Sequence, residues 1–260
     1  MKIAVCVKQT VDTEALVTLN DEGGIDTEGA ALIIDPYAEF AVEKAVQLKE
    51  EQGGEVIVVT LGSQESLPAI RHALSMGADR AILVDDDVID ESDSRGKARV
   101  LSRVLEELEA DLIMGGCKSG DTARAQTLPR IATIMGIPQV NMAVDLKVVE
   151  GGVIASHEIE DGVENVSVAL PAVVSAQQGL AEPRYPNVRD IMQSKKKPID
   201  TRTLGDMGID PASVDGSSAQ IRIESYALKQ ERAGGRIVEG ETPDAVAEVV
   251  SALTTEAKVL

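Results

Sequence analysis

Short apolar runs alternate with longer amphipathic segments through the first half of the chain, and this alternation constrains the fold more than any other feature. The strand-like runs are residues 2–8, 55–61, 80–84 and 111–115. The segments with helical spacing of apolar residues are residues 37–52, 64–76, 95–109 and 124–135. Apolar strands that alternate with helices of this length are typical of a parallel sheet covered on both faces. The pattern therefore predicts an α/β fold with a doubly wound parallel sheet.

The pattern changes after Pro138. Residues 143–149, 153–159 and 163–169 alternate between apolar and polar side chains, and Gly151-Gly152 and Asp161-Gly162 lie between them. Such dipeptides are hairpin turn signals, so we predict a β-hairpin insertion. Residues 171–177 then predict a strand that returns to the main sheet.

From about residue 184 onward the chain is polar and rich in Pro, Gly and Ser, with one amphipathic helix predicted at 243–257. A segment of this composition buries little apolar surface on itself. We therefore expect two parts: an α/β nucleotide-binding domain at 1–183, and an extended C-terminal arm at 184–260 that packs along another protein.

Composition excludes several classes of function. The formal net charge of -19 repels phosphate backbones and anionic lipid, so we expect no nucleic-acid partner. Apolar runs stay well below the roughly 18 residues that span a bilayer, so we expect no membrane insertion and a cytoplasmic location. The two cysteines, Cys6 and Cys117, fit neither a disulfide framework nor a metal-ligand spacing. The acidic stretch at 85–94 is interpreted as a solvated connection.

Three segments are expected to meet where the parallel strands end, which is the usual ligand site of this fold. They are residues 6–8, residues 35–38 and residues 116–127. The third combines small residues, two hydroxyls (Ser119, Thr122) and two cations (Lys118, Arg124) with a following helix N-terminus, which favours an anion. It contains neither a GxGxxG nor a Walker motif. Phosphate binding and an ordinary glycine-rich turn with a helix cap both fit this spacing.

Six stretches resemble electron-transfer flavoprotein β subunits in order and spacing over residues 1–200. They read MKIAVCVKQ, DPYAEFAVEKAVQLKE, ALSMGADRAILV, GGCKSGDTARAQTLPRIATIMGIPQV, LPAVVSAQ and AEPRYPNVRDIMQSKKK. The resemblance implies a fold like that of the adenine nucleotide α-hydrolases. It also implies a heterodimer with an α subunit, in which FAD lies mainly in the α subunit near the interface.

The same resemblance implies a nucleotide in the crevice of this chain, either AMP or, as in electron-bifurcating members, a second FAD. By position the pocket comprises Cys6, Asp35, Pro36, Tyr37, Ala38, Leu61, Gly116, Cys117, Lys118, Ser119, Gly120, Asp121, Thr122, Arg124, Gln126 and Thr127. The loop departs from the family pattern: Ala123 replaces the second of two acidic residues, Cys117 replaces a cation, and Arg124 is an added cation. The identity of the nucleotide therefore stays open at this point.

The stretch at 182–197 resembles the family's recognition loop, which implies docking of a partner flavin dehydrogenase such as an acyl-CoA dehydrogenase. The docking residues carried over are Glu182, Pro183, Arg184, Tyr185, Val188, Ile191 and Met192. Val188 occupies the position of the family's leucine anchor and can fill a partner's pocket. The alternative is that it packs against its own domain. Lys195, Lys196 and Lys197 either steer an acidic partner or form a solvated helix end.

Glu164 occupies the position of a family glutamate that holds the mobile flavin domain through an ion pair between subunits; the alternative is an exposed hairpin residue. His72 and His157 are interpreted as isolated structural or surface residues. No catalytic residue is assigned, and no metal site.

These observations favour one half of a heterodimeric electron carrier that receives electrons from dehydrogenases and passes them to an acceptor oxidoreductase. One alternative is a bifurcating flavoprotein whose β-bound FAD oxidises NADH. Another, of a different class, is a stand-alone adenine-nucleotide-binding regulatory domain.

Overall fold

The computed structural model describes residues 1–89, 93–229 and 234–260. Part of the predicted acidic connection, residues 90–92, and residues 230–233 of the predicted arm lie outside the described residues. The described chain divides into two compact units, Met1–Tyr226 and Ala227–Leu260.

Strands and helices of the first unit follow the predicted alternation. The strands are β1 (Lys2–Cys6), β2 (Gln9–Val11), β3 (Thr18–Leu19), β4 (Ile25–Asp26), β5 (Leu32–Ile34), β6 (Glu55–Leu61), β7 (Arg80–Val84), β8 (Leu112–Gly116), β9 (Gln139–Val149), β10 (Gly152–Ile159), β11 (Gly162–Ala169), β12 (Ala172–Ala176) and β13 (Ile199–Arg202). The helices are α1 (Pro36–Gln52), α2 (Leu67–Met76), α3 (Ser94–Leu108), α4 (Thr127–Met135) and α5 (Val188–Ser194), and α6 (Thr242–Thr255) belongs to the second unit.

The main sheet has the strand order β11-β10-β9-β12-β8-β1-β6-β7-β13. The pairs from β9 to β13 in this order are parallel, and β9, β10 and β11 form an antiparallel meander. The predicted hairpin insertion and the returning strand are therefore confirmed.

Apolar side chains of the central strands alternate between two cores. Ile3 and Val5 of β1 pack with α1 and α2 on one face, and Ala4 packs with α3 and α4 on the other. All three side chains are fully buried. Helices on both faces of a mostly parallel sheet make the domain doubly wound, as predicted.

The strand order reverses at β1, which lies between β6 and β8. The chain leaves β1 for β6 on one side and later returns to β8 on the other. In open α/β sheets this reversal leaves a crevice beyond the carboxyl ends of the strands. Cys6, Leu61 and Gly116, the last residues of these three strands, therefore lie at one edge of the sheet.

Among the element boundaries that differ from the prediction, the starts of α4 and β9 have a clear structural cause. Helix α4 begins at Thr127, not at 124, because Ala123 and Ala125 have positive φ angles of 48° and 54°, which a right-handed helix does not accept. Strand β9 begins at Gln139, not near 143, because Gln139 and Val140 pair with β12 before the strand enters the hairpin. The short strands β2 to β5 were not predicted.

The expectation that the chain beyond 184 buries little surface is wrong for residues 199–214. Strand β13 pairs with β7 along its whole length. Leu204, Met207 and Val214 are at most 3% exposed and join the core beneath α3. Sequence periodicity missed this strand because Ile199 is its only apolar residue. The division at 183/184 itself, and the packing of an arm on another protein, stay predictions.

The unit Ala227–Leu260 is built around helix α6, none of whose residues is buried. Among the described residues, every helix is too short or too polar to cross a membrane. The same residues contain no group of three or more His, Cys, Asp or Glu side chains that could hold a metal ion.

Candidate functional site

A cavity of about 120 Å³ lies at the crevice beyond β1, β6 and β8. Twelve of the sequence-predicted pocket residues line it: Cys6, Asp35, Ala38, Leu61, Gly116, Cys117, Lys118, Ser119, Thr122, Arg124, Gln126 and Thr127. The other four are not among its lining residues: Pro36 and Tyr37 begin α1, and Gly120 and Asp121 lie in the loop at 116–127. The structure thus brings the three predicted segments together around one space.

Nine further residues line the cavity. Val7, Lys8 and Ala125 lie within the predicted segments 6–8 and 116–127, and Gly115 immediately precedes the latter. The residues that were missed are Val59, Ser94, Lys97, Leu101 and Leu128. Of these, Ser94, Lys97 and Leu101 belong to α3, which is remote in sequence from the other segments. The sequence could have indicated Ser94 and Lys97, because they lie in the first turn of a helix that follows a parallel strand, and such turns face the ligand crevice.

Glycine at 116 permits a close approach between the end of β8 and the start of α1. A Cβ atom at this position would lie 2.7 Å from Tyr37 Cβ and 2.9 Å from the backbone nitrogen of Ala38. Such distances require the helix start to move. The small side chain therefore positions the loop that follows directly against the N-terminus of α1.

Asp35 joins two of the converging segments. Its Oδ1 accepts hydrogen bonds from the backbone N–H groups of Tyr37 (3.0 Å) and Ala38 (3.3 Å), capping α1, and its Oδ2 accepts one from Gly120 (2.6 Å). Burial raises the pKa of this carboxyl, and the three N–H donors oppose that shift. Asp35 thus holds the loop at 116–127 against the helix start.

Lys8 and Asp121 form an ion pair between the end of β1 and the same loop. Burial works against ionisation of Asp121, but the hydrogen bonds from Lys8 and Ser119 outweigh it and hold the pKa of Asp121 below its usual value. Asp121 is therefore ionised at neutral pH and fixes the loop a second time.

The backbone of the loop favours an anion. Ala123 and Ala125 have left-handed φ angles, and Gln126 follows in the right-handed helical region with φ −114° and ψ −21°. Successive residues of alternating handedness form concave arrays of backbone N–H groups that bind anions. Non-glycine residues in the left-handed region are also costly, and such strain concentrates at binding sites.

Gln126 is held by two donors. The hydroxyl of Ser94 (3.1 Å) and Nη2 of Arg130 (3.0 Å) both donate to its Oε1. Because the carbonyl oxygen faces these donors, the side-chain NH₂ group points away from them. Gln126 therefore has a fixed orientation at the cavity wall.

Four cations line the cavity, Lys8, Lys97, Lys118 and Arg124, in a chain whose formal net charge is -19. Lys118 lies over the ring of Tyr37, with Nζ 5.1 Å from the ring centroid. Other wall residues are apolar and include Val59, Leu61, Leu101 and Leu128. This arrangement suits a ligand with an anionic end and a flat apolar end.

Both cysteines line the cavity as neutral thiols. Burial raises the pKa of Cys6 to about 12. Burial also raises the pKa of Cys117, against the opposing charge of Lys118. A thiol must ionise to act as a nucleophile, so these residues serve as small apolar wall groups.

A second candidate site is the docking segment, defined as residues 182–197. Its aromatic and aliphatic side chains are largely exposed: Tyr185 is 99% exposed, Val188 78%, Met192 58% and Ile191 46%. Val188 therefore does not pack against its own domain. Glu182 is exposed and Pro183 half-buried, whereas Arg184 is bound to α1 through Glu43 and Glu50. The role of these residues in docking stays a prediction.

Glu164 lies on the antiparallel meander, directly opposite His157 in the register of β10 and β11. His157 Nε2 is 2.8 Å from its Oε2. The expectation that both histidines are isolated is wrong, since His72 Nε2 also lies 2.7 Å from Glu39 Oε1. Cross-strand and cross-helix pairs of this kind depend on topology and cannot be read from sequence spacing.

Comparison with known proteins identifies relatives over the whole chain. A family model described as the electron transfer flavoprotein domain matches residues 23–207. A Bacillus subtilis protein named electron transfer flavoprotein subunit beta is 36% identical, with all of both chains covered. A Syntrophomonas wolfei protein of the same name is 38% identical over 93% of this chain and 91% of the relative. One from Bradyrhizobium diazoefficiens is 36% identical over the full length of both.

Proposed function

The chain belongs to the electron transfer flavoprotein family as a β subunit, and we propose that it pairs with an α subunit to carry electrons from dehydrogenases to an acceptor oxidoreductase. In this proposal the cavity binds AMP, and the chain braces an FAD that is held mainly by the α subunit. The chain itself makes or breaks no covalent bond, so it is a carrier subunit and not a stand-alone catalyst.

The observation that carries the nucleotide assignment is the set of four cations around one cavity of a strongly acidic protein. On a surface of net charge -19, cations gathered at a strand-end crevice favour a phosphate. The backbone at Ala123 and Ala125 and the N-terminus of α4 favour the same group. The apolar walls of the cavity suit an adenine ring.

In the proposal, this chain supports the FAD of the α subunit indirectly, through the residues that hold the loop at 116–127. When bound, FAD supplies the one- and two-electron redox chemistry, and the protein supplies position and electrostatics. Asp35, Gly116 and the Lys8–Asp121 pair hold the nucleotide loop in place. In the proposal this rigid loop supports the face on which the α subunit lies, and Glu164 contacts the mobile flavin domain.

Docking of an acyl-CoA dehydrogenase or a similar flavin dehydrogenase is assigned to the docking segment. The support is the exposed apolar group Tyr185, Val188, Ile191 and Met192, flanked by the exposed cations Arg189, Lys195 and Lys196. An aromatic and aliphatic cluster of this kind is typical of an interaction hot spot. The flanking cations would guide a partner whose rim is acidic.

The second unit, Ala227–Leu260, is assigned to the contact with the α subunit. Helix α6 exposes Val246, Val249 and Val250, each at least 42% exposed. A self-contained regulatory domain has no need of such a helix, which argues against the stand-alone alternative.

We expect the chain to copurify with its α subunit as a 1:1 complex when the two are co-expressed. The second unit has little buried surface of its own, so limited proteolysis should remove residues after 227 from the isolated chain and spare them in the complex. Mass spectrometry of the digests gives the cleavage sites. An isolated chain with a protease-resistant C-terminus and no affinity for the α subunit would contradict the proposed function.

A further inference from the structure

Helix α5 carries Val188, Ile191 and Met192 of the docking segment but has only seven residues. A helix of this length is not stable in water without external support. The face of α5 that bears Val188 and Met192 makes few contacts with the rest of the domain, since these side chains are 78% and 58% exposed. The opposite side of α5 packs against α2, where Ser194 is 2% exposed, and Asn187 caps its first turn. Two arginines add support at the two ends of the segment.

The N-terminal end is held by Arg184. Its guanidinium donates to both oxygens of Glu43 (Nε to Oε2, 2.8 Å; Nη2 to Oε1, 2.9 Å) and to both oxygens of Glu50 (Nη1 to Oε1, 2.6 Å; Nη2 to Oε2, 2.9 Å). Glu43 is 2% exposed, so Arg184 supplies the cation that pairs with an almost fully buried carboxylate. The planar fork of the guanidinium donates two hydrogen bonds to each of the two carboxylates, four in all, which the three N–H groups of an ammonium cannot reproduce. The hydrogen bonds from Arg184 also hold the pKa of Glu50 below its usual value.

The C-terminal end is held by α2. Arg71 Nη1 donates to the carbonyl oxygens of Ser194 (2.5 Å) and Lys197 (2.9 Å). In return, Lys197 Nζ donates to the carbonyl oxygens of Leu74 (2.9 Å) and Ala78 (2.6 Å) at the end of α2. Of the three lysines at 195–197, Lys197 therefore has a structural role, and Lys195 and Lys196 remain exposed.

We propose that Arg184 and Arg71 are positioning residues that hold the docking segment in its bound shape before a partner arrives. The proposal rests on the docking role assigned above. The partner that fits this surface is a protein with an apolar pocket bordered by acidic groups. Since the segment is already ordered, its binding energy is not reduced by the cost of ordering a loop.

The test uses the complete heterodimer and the variant Arg184→Lys, which keeps the charge beside Glu43 but loses the fork. The matched control is Arg80→Lys, because Arg80 also binds a carboxylate through its Nε (Glu55, 2.7 Å) but lies on β7. We expect amide hydrogen exchange within 182–197 to rise about tenfold in Arg184→Lys and not in the control. The KM for the heterodimer in reduction by the dehydrogenase should rise about three- to tenfold, with kcat and nucleotide content unchanged.

Unchanged exchange within 182–197 would overturn the positioning role while leaving docking intact. Faster exchange with an unchanged KM would also overturn the inference, because the order of the segment before binding would then make no difference to partner binding. Failure of the docking role itself is recognised separately, by unchanged flavin reduction in the variant Val188→Asp. If Arg184→Lys does not fold, Glu50→Gln removes the outer, 54% exposed carboxylate and leaves Glu43 paired. The same two measurements on Glu50→Gln, with smaller expected changes, then decide the question.

Discussion

Replacing Val188 with aspartate should slow reduction of the heterodimer's flavin by its dehydrogenase by about 30-fold or more, with flavin content unchanged. The side chain is 78% exposed on α5, so the substitution adds a charge without disturbing the core. In the docked complex, however, the carboxylate would enter a desolvated apolar pocket, at a cost of about 2–4 kcal/mol. Stopped-flow measurement of flavin reduction at several dehydrogenase concentrations would show the loss as weaker binding.

Val88→Asp is the matched control for this variant. It adds the same charge to an exposed valine, 44% accessible, in the connection after β7. Its effect on reduction should be small, since general electrostatic repulsion between exposed charges is weak at physiological ionic strength. Equal rates for Val188→Asp and the unsubstituted protein would show that the docking segment does not bind the dehydrogenase.

Replacing Arg124 with alanine should weaken nucleotide binding in the cavity by about 10- to 150-fold, because a charge-assisted hydrogen bond to phosphate is worth about 1.5–3 kcal/mol. Arg124 lines the cavity between the two left-handed residues Ala123 and Ala125. The FAD of the α subunit should stay bound. Titration of the nucleotide-depleted heterodimer with AMP measures the change directly.

Arg222→Ala serves as the control for charge, since it removes one cation from an exposed segment outside the cavity. AMP affinity should be nearly the same in this variant and in the unsubstituted protein. If Arg124→Ala binds AMP as tightly as the control does, the loop at 116–127 is not the phosphate site.

The central part of the fold could be predicted from sequence because its signals are local. The β6 run EVIVVTL and the β7 run RAILV coincide with the strands residue for residue, and α1 starts one residue before the predicted position, at Pro36. The two strands are continuous apolar runs, and β6 lies between Gly54 and Gly62. Helix α1 is bounded by the capping residue Asp35 and by Gly53. Strand β13 lacks such a signal, and its place beside β7 is decided by pairing across more than a hundred residues.

In the candidate site too, residues with local sequence signals could be predicted and residues placed by long-range packing could not. The residues of the strand ends and of the loop at 116–127 could be located because the fold class dictates where parallel strands end. Lys97 was missed as a cavity residue, since its position depends on how α3 packs against that loop. The hydrogen bonds from Arg184 to Glu43 and Glu50 of α1 could not be predicted from sequence either, because these residues lie 141 and 134 positions from Arg184.

The most direct test of the central claim is to release and quantify the nucleotides of the purified heterodimer. Denaturation followed by chromatography separates AMP from FAD, and the protein concentration gives the ratio of each to the complex. The account predicts one FAD and one AMP for each heterodimer, with the AMP lost in Arg124→Ala. A ratio of two FAD and no AMP for each heterodimer would show that the cavity holds a second FAD. A heterodimer that holds one FAD and no other adenine nucleotide would contradict the assignment of the cavity altogether.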